Sequence, residues 1–340
     1  MTMPALSLDQ AFQPHPLLRH PHLMTIVPRS RPRRDLLKDV SVQPRLFDVS
    51  PGTQILAQCH WHPHAQQHGT LLLVHGLEGS SESHYMLGTA DKAWRAGFNV
   101  VRFNQRNCGG TEHLCPTLYH GGLSGDVYAV VTELSSKDGL ANIWLAGYSM
   151  GGNLVLKMAG EVGRSLPALR GVFAVCPNID PGTCVSSLQR PSNWIYHRHF
   201  LTKLKKRLER KARLFPGRWD LSSLSEIKTM RDFDHWYTGP DGGFASAEEY
   251  YAKIGAQRVL GAIEVPTLII TAQDDPFIPY SIFDLPAIRE NRWITLSAPK
   301  YGGHCGFYQR RSQREDPYWA ENRLVEVMRR QACAVEQGRQ

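Results

Sequence analysis

The sequence predicts an α/β fold, a mostly parallel twisted sheet flanked by helices, with a largely helical cap insertion. Three observations carry this expectation. From about residue 70 onward, short apolar runs alternate with segments of helical period, the pattern of parallel strands joined by crossover helices. That alternation breaks between about residues 177 and 262, where a long insertion with helical patterning separates two strands. A composition of 42% hydrophobic and 21% charged residues over 340 positions is enough for one sizeable core, and it excludes disordered, collagen-like and coiled-coil chains.

Taken in order, residues 1–40 read as an N-terminal arm interrupted by Pro4, Pro14, Pro16, Pro21 and Pro28. The arm lacks an apolar core ahead of a small-residue cleavage site, so it does not read as a secretory signal, and a cytoplasmic location is the expectation. Leu46 to Trp61 reads as a hairpin turning at Pro51-Gly52. Strands are expected at Thr70–Val74, Asn99–Phe103, Asn142–Ala146, Gly171–Cys176, Thr267–Thr271 and Trp293–Ser297. Helices fit between them at Ser83–Ala96, Gly122–Ser135, Gly151–Gly163, Tyr280–Arg289 and Pro317–Ala334. Together these make a single domain over 1–340, with a core of 41–176 and 263–340 and a cap of 177–262. The longest strongly apolar runs, Leu71–Val74 and Val172–Cys176, fall far short of the roughly 20 residues of a spanning helix.

Charge and cysteine usage narrow the partners. The net charge of +8 is concentrated in Lys203–Arg213 and Arg29–Asp39, so a nucleic-acid partner is not expected, nor an obligate protein partner. Leu201, Leu204, Leu208 and Ala212 form an apolar stripe on the basic segment 201–213. That pattern suits peripheral contact with an anionic membrane; a solvated cap helix with one packed side also explains it and is the favoured reading. Seven cysteines with no C-x-x-C pair indicate reduced thiols. The histidines between Cys59 and His68 lack nearby carboxylates or spaced thiolates, so no metal is expected, and no cofactor. Residues 190–251 hold 11 of the 32 Phe, Trp and Tyr residues, suited either to an apolar substrate pocket or to the cap's own core.

The chemistry-bearing residues sit at strand ends. Gly147-Tyr148-Ser149-Met150-Gly151 follows an apolar strand and opens a helix, the setting of a nucleophile lifted on a sharp turn. Glycines two positions before and after Ser149 relieve the crowding such a turn creates, and the Met150 N–H is aimed at an oxyanion forming beside Ser149. A second N–H is expected from Leu77 in Val74-His75-Gly76-Leu77-Glu78-Gly79, with His75 structural. A serine needs an oriented base, and Asp and His follow in order. Asp275 stands after one strand and His304 in a glycine-rich loop after the next. Asp274, expected to bond the amides of its own turn, is a close competitor for the acid, and Asp180 a weaker one.

These motifs resemble those of the YheT-like α/β hydrolases, a branch that includes mammalian acylglycerol lipases. The matching stretches are His75-Gly76-Leu77-Glu78-Gly79-Ser80, Gly147 to Asn153, Asp274-Asp275-Pro276-Phe277 and Gly302-Gly303-His304-Cys305-Gly306-Phe307. Weaker echoes are His22-Leu23-Met24-Thr25, Arg106-Asn107-Cys108-Gly109-Gly110 and Tyr250-Tyr251. Asn107 departs from the family's usual glycine, and an N-terminal membrane anchor like that of the animal relatives is not expected. The resemblance implies an α/β-hydrolase fold and hydrolysis of a small-molecule, apolar or lipid-like ester. The same triad also suits an acyltransferase, and a non-catalytic binding protein on this fold is the rival from another class.

Overall fold

Eight strands form one sheet in the order β1-β2-β4-β3-β5-β6-β7-β8. They are β1 (Gln43–Ser50), β2 (Thr53–His60), β3 (Thr70–Val74), β4 (Asn99–Phe103), β5 (Ile143–Tyr148), β6 (Leu169–Val175), β7 (Thr267–Ile270) and β8 (Ile294–Ser297). The computed structural model describes residues 8, 10–33, 35–312 and 315–337. The leading hairpin β1–β2 is antiparallel, β2 joins β4 antiparallel, and from β4 to β8 every pairing is parallel. Because β4 lies on one side of β3 and β5 on the other, the strand order reverses at β3, and a crevice opens beyond the carboxyl ends of β3 and β5. The Leu77 loop and Ser149 leave the sheet at those two ends.

The period-2 alternation of the strands decides the two cores. Leu72, Val74, Leu145 and Val172 face α3 (Ser124–Ser136) and α4 (Met150–Val162), where Val127, Val130, Leu154 and Val155 receive them. Leu71, Leu73, Trp144 and Phe173 face the other way, toward α2 (His84–Arg95) and the C-terminal helix Trp319–Gln337, among Met86, Ala90, Leu324 and Met328. Both faces are covered, as a parallel sheet requires. The arm is more than a connector: it carries α1 (Pro21–Ser30), and Arg33 reaches Glu321 at 2.6 and 2.8 Å, a carboxylate that Lys92 of α2 also holds at 2.6 Å.

Between β6 and β7 the chain builds the cap from α5 (Pro181–Leu188), α6 (Trp194–Leu214), the short helix Met230–Phe233, a π-helical turn Asp234–Thr238 and the helix Ala247–Ile254. The stripe of α6 packs inward: Leu201, Leu204 and Leu208 are buried. Arg207 and Lys211 are buried as well. The expected helix Tyr280–Arg289 is broken into a 3-10 turn, Tyr280–Phe283, and one helical turn, Pro286–Arg289. Proline forces the residue before it out of the helical region, and Leu285 is extended at φ −120°, ψ 136°. Among the described residues no helix is long and apolar enough to cross a membrane.

Candidate active site

Ser149 sits between β5 and α4 at φ 54°, ψ −119°, a conformation that L-residues adopt only when the surroundings force it. Its glycine neighbours show the forcing: a Cβ on Gly147 would strike the Gly151 carbonyl, and one on Gly151 would strike the Val74 and His75 carbonyls. The turn is pinned from the next strand, with the Ser149 N–H donating to the Val175 carbonyl at 2.8 Å. Asn153, one turn into α4, donates to the Gly121 and Ile254 carbonyls at 2.8 and 3.0 Å and accepts the Ala256 N–H at 2.7 Å, tying the helix that carries the serine to the end of the cap.

Beside it, the loop after β3 is held by hydrogen bonds from His75, Tyr119 and Arg207. His75 is fully buried; its Nε2 accepts the Gln105 N–H at 3.1 Å, so Nδ1 carries the proton toward the Gly76 carbonyl at 2.8 Å. Burial drives its pKa down to about 4, which fits the structural role expected of it. Glu78, at φ 56°, takes two bonds from Arg207 of α6, both 2.9 Å, and another from the Tyr119 hydroxyl at 2.7 Å. Arg207 also donates to the carbonyl of Asn107, which occupies a left-handed position at φ 64°, where asparagine is among the best-tolerated non-glycine residues. Between these fixed points the backbone N–H groups of Leu77 and Met150 have no acceptor among the described residues.

The two acids after β7 divide their tasks differently from the sequence expectation. Asp275 accepts His304 Nδ1 at 2.8 Å with Oδ2, and its Oδ1 takes the N–H groups of Phe277 and Ile278 at 3.0 and 2.9 Å. Asp275, not Asp274, therefore bonds the turn's own amides, because the turn folds back over its carboxylate. Asp274 instead accepts the Gly303 N–H of the histidine loop at 2.9 Å. Asp180 instead caps α5, accepting the Thr183 N–H and hydroxyl. Burial disfavours the charged imidazole, but the Asp275 carboxylate against it outweighs this, and the His304 pKa is pushed up to about 9. The Phe277 ring packs on the imidazole with centroids 4.0 Å apart.

The histidine loop has supports that sequence reasoning missed. Thr25 Oγ1 of α1 accepts the His304 N–H at 2.9 Å, Met24 Sδ accepts the Tyr308 N–H at 3.3 Å, and a Cβ on Gly306 would strike the Met24 carbonyl. The His22-Leu23-Met24-Thr25 stretch was the available signal. The structure gathers Ser149, Leu77, Met150 and Phe277 around one pocket and brings Asp275 to His304, but it records no hydrogen bond between Ser149 Oγ and the imidazole. The pocket has a volume of about 90 Å³, and the cap walls it with Val185, Leu188, Phe200, Met230, Tyr250 and Tyr251. Three of the eleven cap aromatics thus line it; Phe233 and Tyr237 are cap core, while Trp194 and Trp236 are exposed. The histidine-rich hairpin is occupied otherwise, His60 by the Ser41 carbonyl at 2.8 Å and Arg102 at 3.3 Å, His62 by stacking on Trp94 at 3.7 Å.

Comparison with known proteins decides the kinship. Residues 69–309 match the family model described as the alpha/beta hydrolase fold. The chain belongs to this family. Within it, several relatives bear esterase and lipase names. The chain is 30% identical to the Escherichia coli YheT protein, which carries an esterase name, over 289 residues covering 84% of each. It is 31% identical to the mouse phospholipase ABHD3 over 242 residues, 71% of this chain but only 58% of that protein, and 27% identical to a yeast monoacylglycerol lipase over 72% of this chain and 56% of that one. The fold recurs in the Pyrococcus furiosus esterase Pf2001, with a TM-score of 0.57 at 14% identity over 88% of this chain and 96% of that one.

Proposed function

We propose that the protein hydrolyses carboxylic esters by acyl transfer through Ser149, with His304 as base and Asp275 as its orienting acid. The observation that carries this is the 2.8 Å bond from His304 Nδ1 to Asp275, which leaves Nε2 as the nitrogen for serine, together with a serine strained into φ 54° at the head of α4. Ser149 Oγ attacks the ester carbonyl as His304 Nε2 takes its proton. The oxygen of the tetrahedral intermediate lies against the Leu77 and Met150 N–H groups, whose lack of internal acceptors suits them to it. Collapse expels the alcohol, protonated by His304, and a water activated by the same imidazole releases the acid from Ser149.

The pocket supports an apolar acyl group of modest length. Its volume of about 90 Å³ is below the ~150 Å³ of a cavity that takes benzene, so short acyl esters are favoured over long ones. Labelling by a fluorophosphonate probe and turnover of p-nitrophenyl esters of graded acyl length test the reading. The expected result is labelling at Ser149 and a rate that falls with chain length; a folded protein that neither labels nor turns over would overturn it and favour the binding-protein alternative.

A further inference from the structure

Two cysteines flank the imidazole without a part in the chemistry above. Cys176 follows β6, fully buried, at φ 46°, and Cys305 directly follows His304 at φ 57°. Non-glycine residues seldom occupy that region, so the surrounding packing fixes where both sulfurs sit. The Cys305 N–H donates to Cys176 Sγ at 3.3 Å, and the Cys305 thiol points at the Val175 carbonyl at 3.7 Å, the same carbonyl that pins Ser149. Both sulfurs and a ring nitrogen of His304 lie within 4.8 Å of one another, the one such trio of ligating atoms among the described residues.

We propose that Cys176, Cys305 and His304 form a three-ligand site for a borderline-soft divalent cation, Zn²⁺ above all, which leaves the fourth tetrahedral position to water. Two thiolates and an imidazole are a zinc donor set. With Zn–S near 2.3 Å and Zn–N near 2.0 Å, ligand atoms of such a shell stand roughly 3.5 to 3.8 Å apart, so closing on the ion asks for at most about 1 Å of contraction. With the imidazole in its neutral form and each thiol proton leaving to solvent, one Zn²⁺ and two thiols become a neutral bis-thiolate centre and two protons. That neutrality suits the buried position.

The consequence rests on the triad reading. If Nε2 binds the ion, it cannot take the serine proton; if Nδ1 binds, the bond to Asp275 is broken. Either arrangement stops turnover. The binding arm of the test uses Ser149→Ala protein, so it does not depend on turnover. Titration with Co²⁺ should give a thiolate-to-cobalt charge-transfer band saturating at one equivalent and removed by Zn²⁺. Cys176→Ser/Cys305→Ser should lose the band and bind Zn²⁺ more than about 100-fold more weakly, since even outer partners of a ligand are worth about 10- to 100-fold. Cys305→Ser alone, at a partly exposed position, should weaken the band in the same sense should the double variant fail to fold. No thiolate band, or a band that survives these changes, overturns the site. In wild-type protein one equivalent of Zn²⁺ should abolish ester turnover and a chelator restore it; full turnover with the site occupied overturns the stop. An inactive wild type would sink the triad reading while the cobalt band still decides the site.

Discussion

The turn at Ser149 and the loop at His304, the two halves of the proposed reaction, are held in opposite ways. The turn at Ser149 is fixed by its immediate neighbours: Gly147, Gly151 and the strand beside it leave it one conformation. The loop at His304 is fixed from outside by Asp274, Asp275 and Thr25, the last 279 positions away. Local crowding makes a site robust to change elsewhere, whereas remote support makes it sensitive to residues that never meet a substrate.

The largest effect should come from the locally held half. Ser149→Ala removes the attacking oxygen and should lower kcat by about 10⁶, as in a serine protease template, while the melting temperature stays near wild type because glycine crowding shapes the turn without the hydroxyl. Near-wild-type turnover would refute the comparison at its root.

Asp275→Asn should lower kcat by about 10⁴. It also carries a pH signature. The His304 pKa of about 9 predicts that wild-type turnover climbs through the alkaline range as the imidazolium loses its proton, rather than near 6.5. In Asp275→Asn the midpoint of the ring's NMR titration should fall, since the carboxylate that raised it is gone. Because the folded pKa is raised, the pair's contribution to stability is complete below about 6.5 and is lost as the pH rises through about 9. An unchanged midpoint would move the acid's role to Asp274.

Arg207→Met tests the cap's grip on the Leu77 loop. It strands Glu78, whose side chain is only 4% exposed, and should destabilise the fold by about 3–5 kcal/mol in denaturant unfolding. Adding Glu78→Gln should recover part of that loss; strict additivity would mean the two side chains do not depend on each other. The smallest effect is the most remote: Thr25→Val deletes one acceptor of the His304 N–H and should lower kcat about three- to tenfold at constant KM, with Thr25→Ser restoring it. A change confined to melting temperature would make α1 merely structural.

The same contrast explains what could be read in advance. The strands and the sharp turn at Ser149 were legible because each depends on residues within a few positions. Pro286 breaks a helix that apolar spacing alone suggested, a local signal that was present and not weighed. The partners of Thr25, Arg207 and Asn153 lie 279, 129 and 101 positions away, and no periodicity carries information across such gaps. The division of labour between Asp274 and Asp275 was hidden for a related reason: adjacent carboxylates differ only in which way a folded turn aims them.

The clamp of α1 on the histidine loop also orders events in time. During synthesis the Pro21–Ser30 helix emerges early and has nothing to grip until residues near 304 follow, almost the whole chain later. The sheet, the serine turn and most of the hydrophobic interior can assemble before that meeting, because their contacts span shorter loops. On refolding from denaturant, helical and strand signals should therefore return ahead of ester turnover, and the lag should lengthen when Thr25 is replaced. Turnover in this chain is a report that its two ends have found each other.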